Sequence, residues 1–104
     1  MTTYQPICAI AEVPEGQARM VLVAGRRLAV IHSGGEFYVI DDTCPHAGAS
    51  LARGIVEGQS VRCRIHHWRF CMGSGRYLDE DRSEFNIRSY DVRIVDGNLE
   101  AALD

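Results

Sequence analysis

Two short segments carry paired metal-ligating side chains: Cys44-Pro45-His46 and Cys63-Arg64-Ile65-His66, each with the cysteine ahead of the histidine. Thiolate is a soft ligand that favours iron–sulfur centres, whereas neutral imidazole suits iron, zinc and copper alike. A mixed set on two separate loops therefore suits a centre with two chemically different ends. A [2Fe–2S] rhomb has such ends, since two thiolates can hold one iron while two imidazoles hold the other. The same four residues also make up the ligand set of a single two-Cys, two-His zinc ion, although zinc modules usually pair like with like, and chance juxtaposition is a third reading. The first reading means one-electron chemistry, and the zinc reading means a colourless, redox-silent site.

Such loops must hang from rigid elements, and the surrounding sequence reads as strands. Met20-Val21-Leu22-Val23, Leu28-Ala29-Val30-Ile31-His32 and Glu36-Phe37-Tyr38-Val39-Ile40 form a β meander with turns at Ala24-Gly25-Arg26-Arg27 and Ser33-Gly34-Gly35. Short strands are expected within Gly54–Gln59, Ser60–Cys63 and His67–Met72, with a turn at Gly73-Ser74-Gly75 and an irregular acidic loop from Asp79 to Glu84. Tyr90–Val95 reads as a strand with Tyr90, Val92 and Ile94 inward, joined by Asp96-Gly97 to Asn98–Ala101. No long amphipathic helix competes. The expected architecture is an all-β antiparallel sandwich or barrel, with a cluster-bearing segment of about residues 42–72 inserted between the outer strands.

The 104 residues are expected to form one domain spanning 1–104. A composition 46% hydrophobic with net charge −3 argues against disorder and against nucleic acid as a partner. All eleven basic residues are arginine. Of the four cysteines, Cys8 and Cys71 lie outside the ligand spacing and read as reduced core thiols. Met1–Pro6 lacks a basic, apolar leader pattern, and no apolar run approaches membrane-spanning length, so a soluble, cytoplasmic protein is expected.

Cys44-Pro45-His46-Ala47-Gly48 and Cys63-Arg64-Ile65-His66-His67-Trp68-Arg69-Phe70 together resemble the Rieske [2Fe–2S] family, and the flanking strands resemble that domain along nearly the whole chain. The resemblance implies that Cys44 and Cys63 hold an inner ferric iron and that His46 and His66 hold the outer, redox-active iron through Nδ1, at one tip of the molecule. With two thiolates the oxidised centre is neutral, whereas four would leave it two units more negative, so the mixed site takes an electron more readily. Backbone N–H groups must face the sulfurs, a need that Gly48 and Ala49 suit, though Gly48 reads equally well as an ordinary loop glycine. Each ligand imidazole can lose a proton, so the potential is expected to depend on pH under alkaline conditions.

Departures within the family narrow the class. High-potential members carry an extra cysteine in each loop, joined as a disulfide, where this chain has Ala49 and Ile65. They also carry a serine and a tyrosine that donate to cluster sulfur, where this chain has Trp68 and Phe70. Without those donors the reduced centre is less stabilised, so a potential of roughly −150 mV is expected. The resemblance then implies a carrier with no catalytic residues, serving a flavin-dependent reductase and a terminal oxygenase, and monomeric when free. Its alternative is the small Rieske subunit of an assimilatory nitrite reductase, bound to a large reductase subunit. Trp68 is expected to pack over a cluster loop, His32 to be a strand-surface histidine, and His67 to be a loop residue. Arg53, Arg62, Arg64 and Arg69 surround the loops and would steer an acidic docking surface if they encircle the imidazoles, while the acidic residues from Asp79 to Glu84 gather elsewhere.

Overall fold

The computed structural model describes residues 3–46 and 48–103. Among the described residues ten strands follow in chain order: β1 Tyr4–Ala9, β2 Ala18–Val23, β3 Arg26–Ser33, β4 Glu36–Asp41, β5 Ile55–Glu57, β6 Ser60–Arg62, β7 Arg69–Cys71, β8 Ser89–Tyr90, β9 Val92–Val95 and β10 Asn98–Ala102. They form three antiparallel sheets, ordered β2-β3-β4-β8, β1-β10-β9 and β5-β6-β7. The all-β antiparallel expectation holds.

The run Leu28-Ala29-Val30-Ile31 shows how the layers stack. All four residues are fully buried, which places β3 at the centre with apolar layers on both faces. Leu28 and Val30, with Val39, Tyr90, Leu99 and Ala101, fill the layer towards the β1-β10-β9 sheet. Ala29, Ile31 and Ile40 face the other way and pack with Leu51, Val61, Phe70, Met72 and both metal-loop cysteines. Period-two alternation thus divides β3 between a structural layer and the layer beneath the candidate site.

The meander forms with tighter turns than expected. Two-residue turns at Ala24-Gly25 and Gly34-Gly35 join β2 to β3 and β3 to β4, and Asp96-Gly97 joins β9 to β10; all six of these residues have positive φ. That backbone matches the right-handed twist of the flanking strands.

The strand expected at Tyr90–Val95 is two strands. Tyr90 pairs with Val39, whereas Val92 pairs with Ala101, so the chain changes sheets at Asp91. Ile94 consequently lies on an edge strand and is 52% exposed, not inward. The chain leaves the central sheet after Asp41 and re-enters it at Ser89. The inserted portion thus runs past residue 72, because Tyr77 bridges back to Phe70 and the amide of Tyr77 donates to Asn86 Oδ1.

Candidate metal centre

Cys44 and Cys63 each open a turn with the same pair of backbone hydrogen bonds. The Cys44 amide donates to the Ala49 carbonyl and the Gly48 amide to the Cys44 carbonyl, at 2.9 and 2.8 Å; the Cys63 amide donates to Trp68 and the His67 amide to Cys63, at 2.8 and 2.9 Å. The fifth residue of each turn has positive φ, 71° at Gly48 and 61° at His67. Glycine takes this conformation freely, whereas histidine takes it against a steric cost. The two loops are therefore copies of one backbone device, although one carries its histidine two places after the cysteine and the other three.

Turn and sheet together separate sulfur from nitrogen. Cys44 and Cys63 are both 1% exposed within the apolar layer, while the side chains of His46 and His66 stand exposed. The two imidazole Nδ1 atoms approach to 3.1 Å. Two nitrogens bound about 2.0–2.1 Å from one ion in tetrahedral geometry lie about 3.3–3.4 Å apart, so this pair comes within about 0.3 Å of the bite of a single metal. Among the described residues, no three His, Cys, Asp or Glu side chains gather about one point as a single zinc ion needs. Buried thiols below and paired imidazoles above fit the two-ended [2Fe–2S] group.

An aromatic block backs the first imidazole. Trp68 stacks on His46 with centroids 4.3 Å apart and planes at 12°, and Tyr77 and Phe85 pack on Trp68 at 4.6 and 5.0 Å. The packing role expected of Trp68 is present, directed at a candidate ligand. Phe70 is fully buried and presents no hydroxyl. Burial, helped by the charges of Asp79, Glu80 and Cys44, raises the Tyr77 phenol above its ordinary value.

Sequence reasoning missed Asp42. Its carboxylate is fully buried, accepts hydrogen bonds from Ser50 Oγ at 2.8 Å and the Ala52 amide at 2.9 Å, and lies 3.4 Å from Arg27 Nη2. It thereby clamps the two ends of the first loop together. Nearby, a Cβ on Gly54 would strike the Arg62 carbonyl oxygen, so only glycine lets the first loop pass β6 just before Cys63.

The structure sorts the four arginines placed around the loops. Arg62 pairs with Glu57 at 2.5 Å and Arg69 with Asp79 at 2.8 Å. The acidic loop is thus not separate from the arginine set, because it neutralises Arg69. Arg53 and Arg64 have no carboxylate partner among the described residues, and Arg64 Nε donates instead to the Arg53 carbonyl at 2.5 Å. His32 is structural: Nδ1–H donates to the Val13 carbonyl at 2.8 Å and its ring stacks on Phe37.

Cys71 differs from the inert core thiol expected. It heads a third copy of the turn, with the Cys71 amide donating to Arg76, the Gly75 amide donating to Cys71, and Gly75 at φ 79°. Burial pushes its thiol up, but hydrogen bonds from the Ser74 hydroxyl and the Ser74 and Gly73 amides, with the Arg76 charge, hold it below the ordinary value. Cys8 is half-buried against the structural layer, and burial raises its thiol.

The sequence pattern of the Rieske [2Fe–2S] domain matches residues 3–91. The chain is 37% identical over 86 residues to the ferredoxin component of the naphthalene 1,2-dioxygenase system of Pseudomonas aeruginosa, covering 83% of this chain and 82% of that protein. It is 34% identical over 94 residues to the 3-phenylpropionate/cinnamic acid dioxygenase ferredoxin subunit of Photorhabdus laumondii, covering 89% and 88%. In structure it resembles a chain of the complex of reduced oxygenase and oxidized ferredoxin in carbazole 1,9a-dioxygenase, with TM-score 0.83 and 27% identity over 98% of this chain and 94% of that one. A Mycobacterium tuberculosis protein described as an NADH-dependent nitrite reductase small subunit shares the fold, with TM-score 0.88 at 22% identity over 100% and 97%. Two like turns with buried thiols and converging imidazoles lie inside the matched region: the chain belongs to the Rieske [2Fe–2S] domain family and carries its [2Fe–2S] cluster.

Proposed function

We propose that this chain is a one-electron carrier of low potential, passing electrons from a flavin-dependent reductase to a terminal oxygenase. The observation that carries the reading is the pair of exposed imidazoles with Nδ1 atoms 3.1 Å apart above two buried thiols. Cys44 and Cys63 would hold one iron through their thiolates, and His46 and His66 the other through Nδ1. When bound, the cluster supplies reversible one-electron exchange. The protein keeps the thiolates out of water and presents the imidazole edges to a partner, while Trp68 fixes the His46 ring. The turn that begins at Cys71 also begins at Cys63, so the same pair of backbone hydrogen bonds positions both side chains.

The relatives named as ferredoxin components support a partner-serving role without a catalytic residue in this chain. Residues 1–104 act as one unit, monomeric when free and cytoplasmic; among the described residues no helix is long and apolar enough to cross a membrane. The rival role, small subunit of a nitrite reductase, rests on shared fold alone. Gel filtration of the native protein separates the two: a carrier elutes alone, whereas a subunit co-elutes with a large reductase chain. Voltammetry tests the potential. Roughly −150 mV is expected, and a value above about +100 mV contradicts the reading, because the Ser and Tyr donors of that end of the range are replaced by Trp68 and Phe70.

A further inference from the structure

Against the two metal loops lies an open groove of about 480 Å³ whose lining includes Met20, Arg27, Ala49, Arg53, Arg64 and Ile65. Three of its walls are guanidinium groups, in a chain whose net charge is −3. One carboxylate opposes them: Asp42, fully buried behind Arg27 and already engaged by Ser50 and Ala52. Outside the groove, Arg19, Arg62, Arg69, Arg82 and Arg93 have glutamate or aspartate partners. In the groove Arg27 faces Asp42, while Arg53 and Arg64 have no carboxylate partner among the described residues. The bond from Arg64 Nε to the Arg53 carbonyl holds the Arg64 side chain against the Arg53 backbone, and both residues line the groove. The floor is apolar, with Met20 42% and Ile65 55% exposed, and Ile65 lies between Arg64 and His66 in the second metal loop.

Resting on the carrier reading above, we propose that this groove docks an acidic segment of the protein that exchanges electrons with the cluster, its carboxylates on Arg53 and Arg64 and an adjacent apolar side chain on Met20 and Ile65. Charge complementarity names the occupant. Unpaired guanidinium forks fit carboxylates bidentately, and an apolar floor beneath them gives the interface a place to exclude water. A partner seated there lies against the second loop, next to the exposed imidazoles. Of the four arginines around the loops, Arg53 and Arg64 are the two without a carboxylate partner among the described residues, whereas Arg27 beside them already faces Asp42.

The test measures the local field without needing the partner. Stopped-flow oxidation of the dithionite-reduced holoprotein by hexacyanoferrate(III) moves one electron from the cluster to the trianion, giving hexacyanoferrate(II). If the groove dominates, the bimolecular rate constant falls about three- to tenfold as ionic strength rises from about 10 to about 200 mM, against the repulsion set by the net charge. The R53Q/R64Q protein is expected to reverse that slope, while R76Q/R93Q, which removes the same charge at residues that do not line the groove, keeps it. At matched ionic strength, about 1 mM tetraglutamate should slow the native reaction about twofold and leave R53Q/R64Q unaffected, and tetraglutamine should slow neither. A rate that rises with salt in the native protein, equal slopes in the two double variants, or no effect of tetraglutamate overturns the groove. Failure of the cluster to be reduced or reoxidised at all overturns the carrier reading instead, so the two failures are distinct.

Discussion

The indole of Trp68 lies flat on the imidazole of His46, centroids 4.3 Å apart and planes inclined by 12°. Tyr77 and Phe85 hold the indole from behind, so the orientation of one proposed ligand is set by an aromatic block anchored in the core.

Removing that support should loosen the outer end of the site without deleting a ligand. Trp68→Ala is expected to load a cluster but to release it about five- to tenfold faster in the presence of a chelator, in line with about 1 kcal/mol for one aromatic pair. Trp68→Phe should fall between the two. Decay of visible absorbance gives the rates, and identical rates in all three proteins would show that the stack does not restrain His46.

The shared turn makes a second prediction of opposite sign. His67 occupies the position held by Gly48 and Gly75 in the other two copies, yet at φ 61° it bears a Cβ. His67→Gly should relieve strain of about 1 kcal/mol and, after the added freedom of the unfolded chain, stabilise the protein by about 0.5 kcal/mol. Thermal unfolding by circular dichroism checks this, and a lower Tm would mean that packing of the imidazole outweighs its strain.

Asp42 tests how the first loop is held. Its fully buried carboxylate accepts two hydrogen bonds and faces the Arg27 guanidinium, so Asp42→Ala is expected to cost about 2–4 kcal/mol, whereas Ser50→Ala, which removes one donor, should cost about 1 kcal/mol. Chemical denaturation measures both. Equal, small losses would mean that loop closure does not depend on this carboxylate.

These residues mark where the sequence was legible. The proposed ligand quartet could be picked out because thiol and imidazole chemistry belongs to the residue type, and spacing alone places the pairs on two loops. The β meander could be read because hydrophobic alternation and Gly-Gly and Asp-Gly turns are local signals. Asp42 could not, since an aspartate beside Asp41 in a loop becomes structural only when Leu51 and the turn close over it. The change of sheet at Asp91 was hidden for the same reason: Tyr90–Ile94 alternates well, but its two halves pair with distant Val39 and with the next hairpin strand. His67 carried no signal at all, because only the hydrogen bonds show that its place in the turn is a glycine place.

Alkaline pH should weaken the fold through Tyr90. Its hydroxyl donates to Asp41 Oδ1 at 2.6 Å, and burial together with that carboxylate raises the phenol above its ordinary value of about 10. A folded-state value above the unfolded one stabilises the protein fully below about pH 10, and that contribution is lost as pH climbs through the folded value. Tyr90→Phe should therefore show a flatter fall of Tm above about pH 10 than the native protein, and parallel falls would assign the alkaline loss to other groups.

Pulsed EPR of the dithionite-reduced protein observes directly whether two imidazoles and two thiolates share one [2Fe–2S] cluster. Protein grown with ¹⁵N-histidine is expected to show strong coupling of the unpaired electron to two histidine nitrogens, reduced to one in His46→Cys and in His66→Cys. A reduced spectrum without histidine nitrogen coupling, or one left unchanged by either substitution, would contradict the proposed centre.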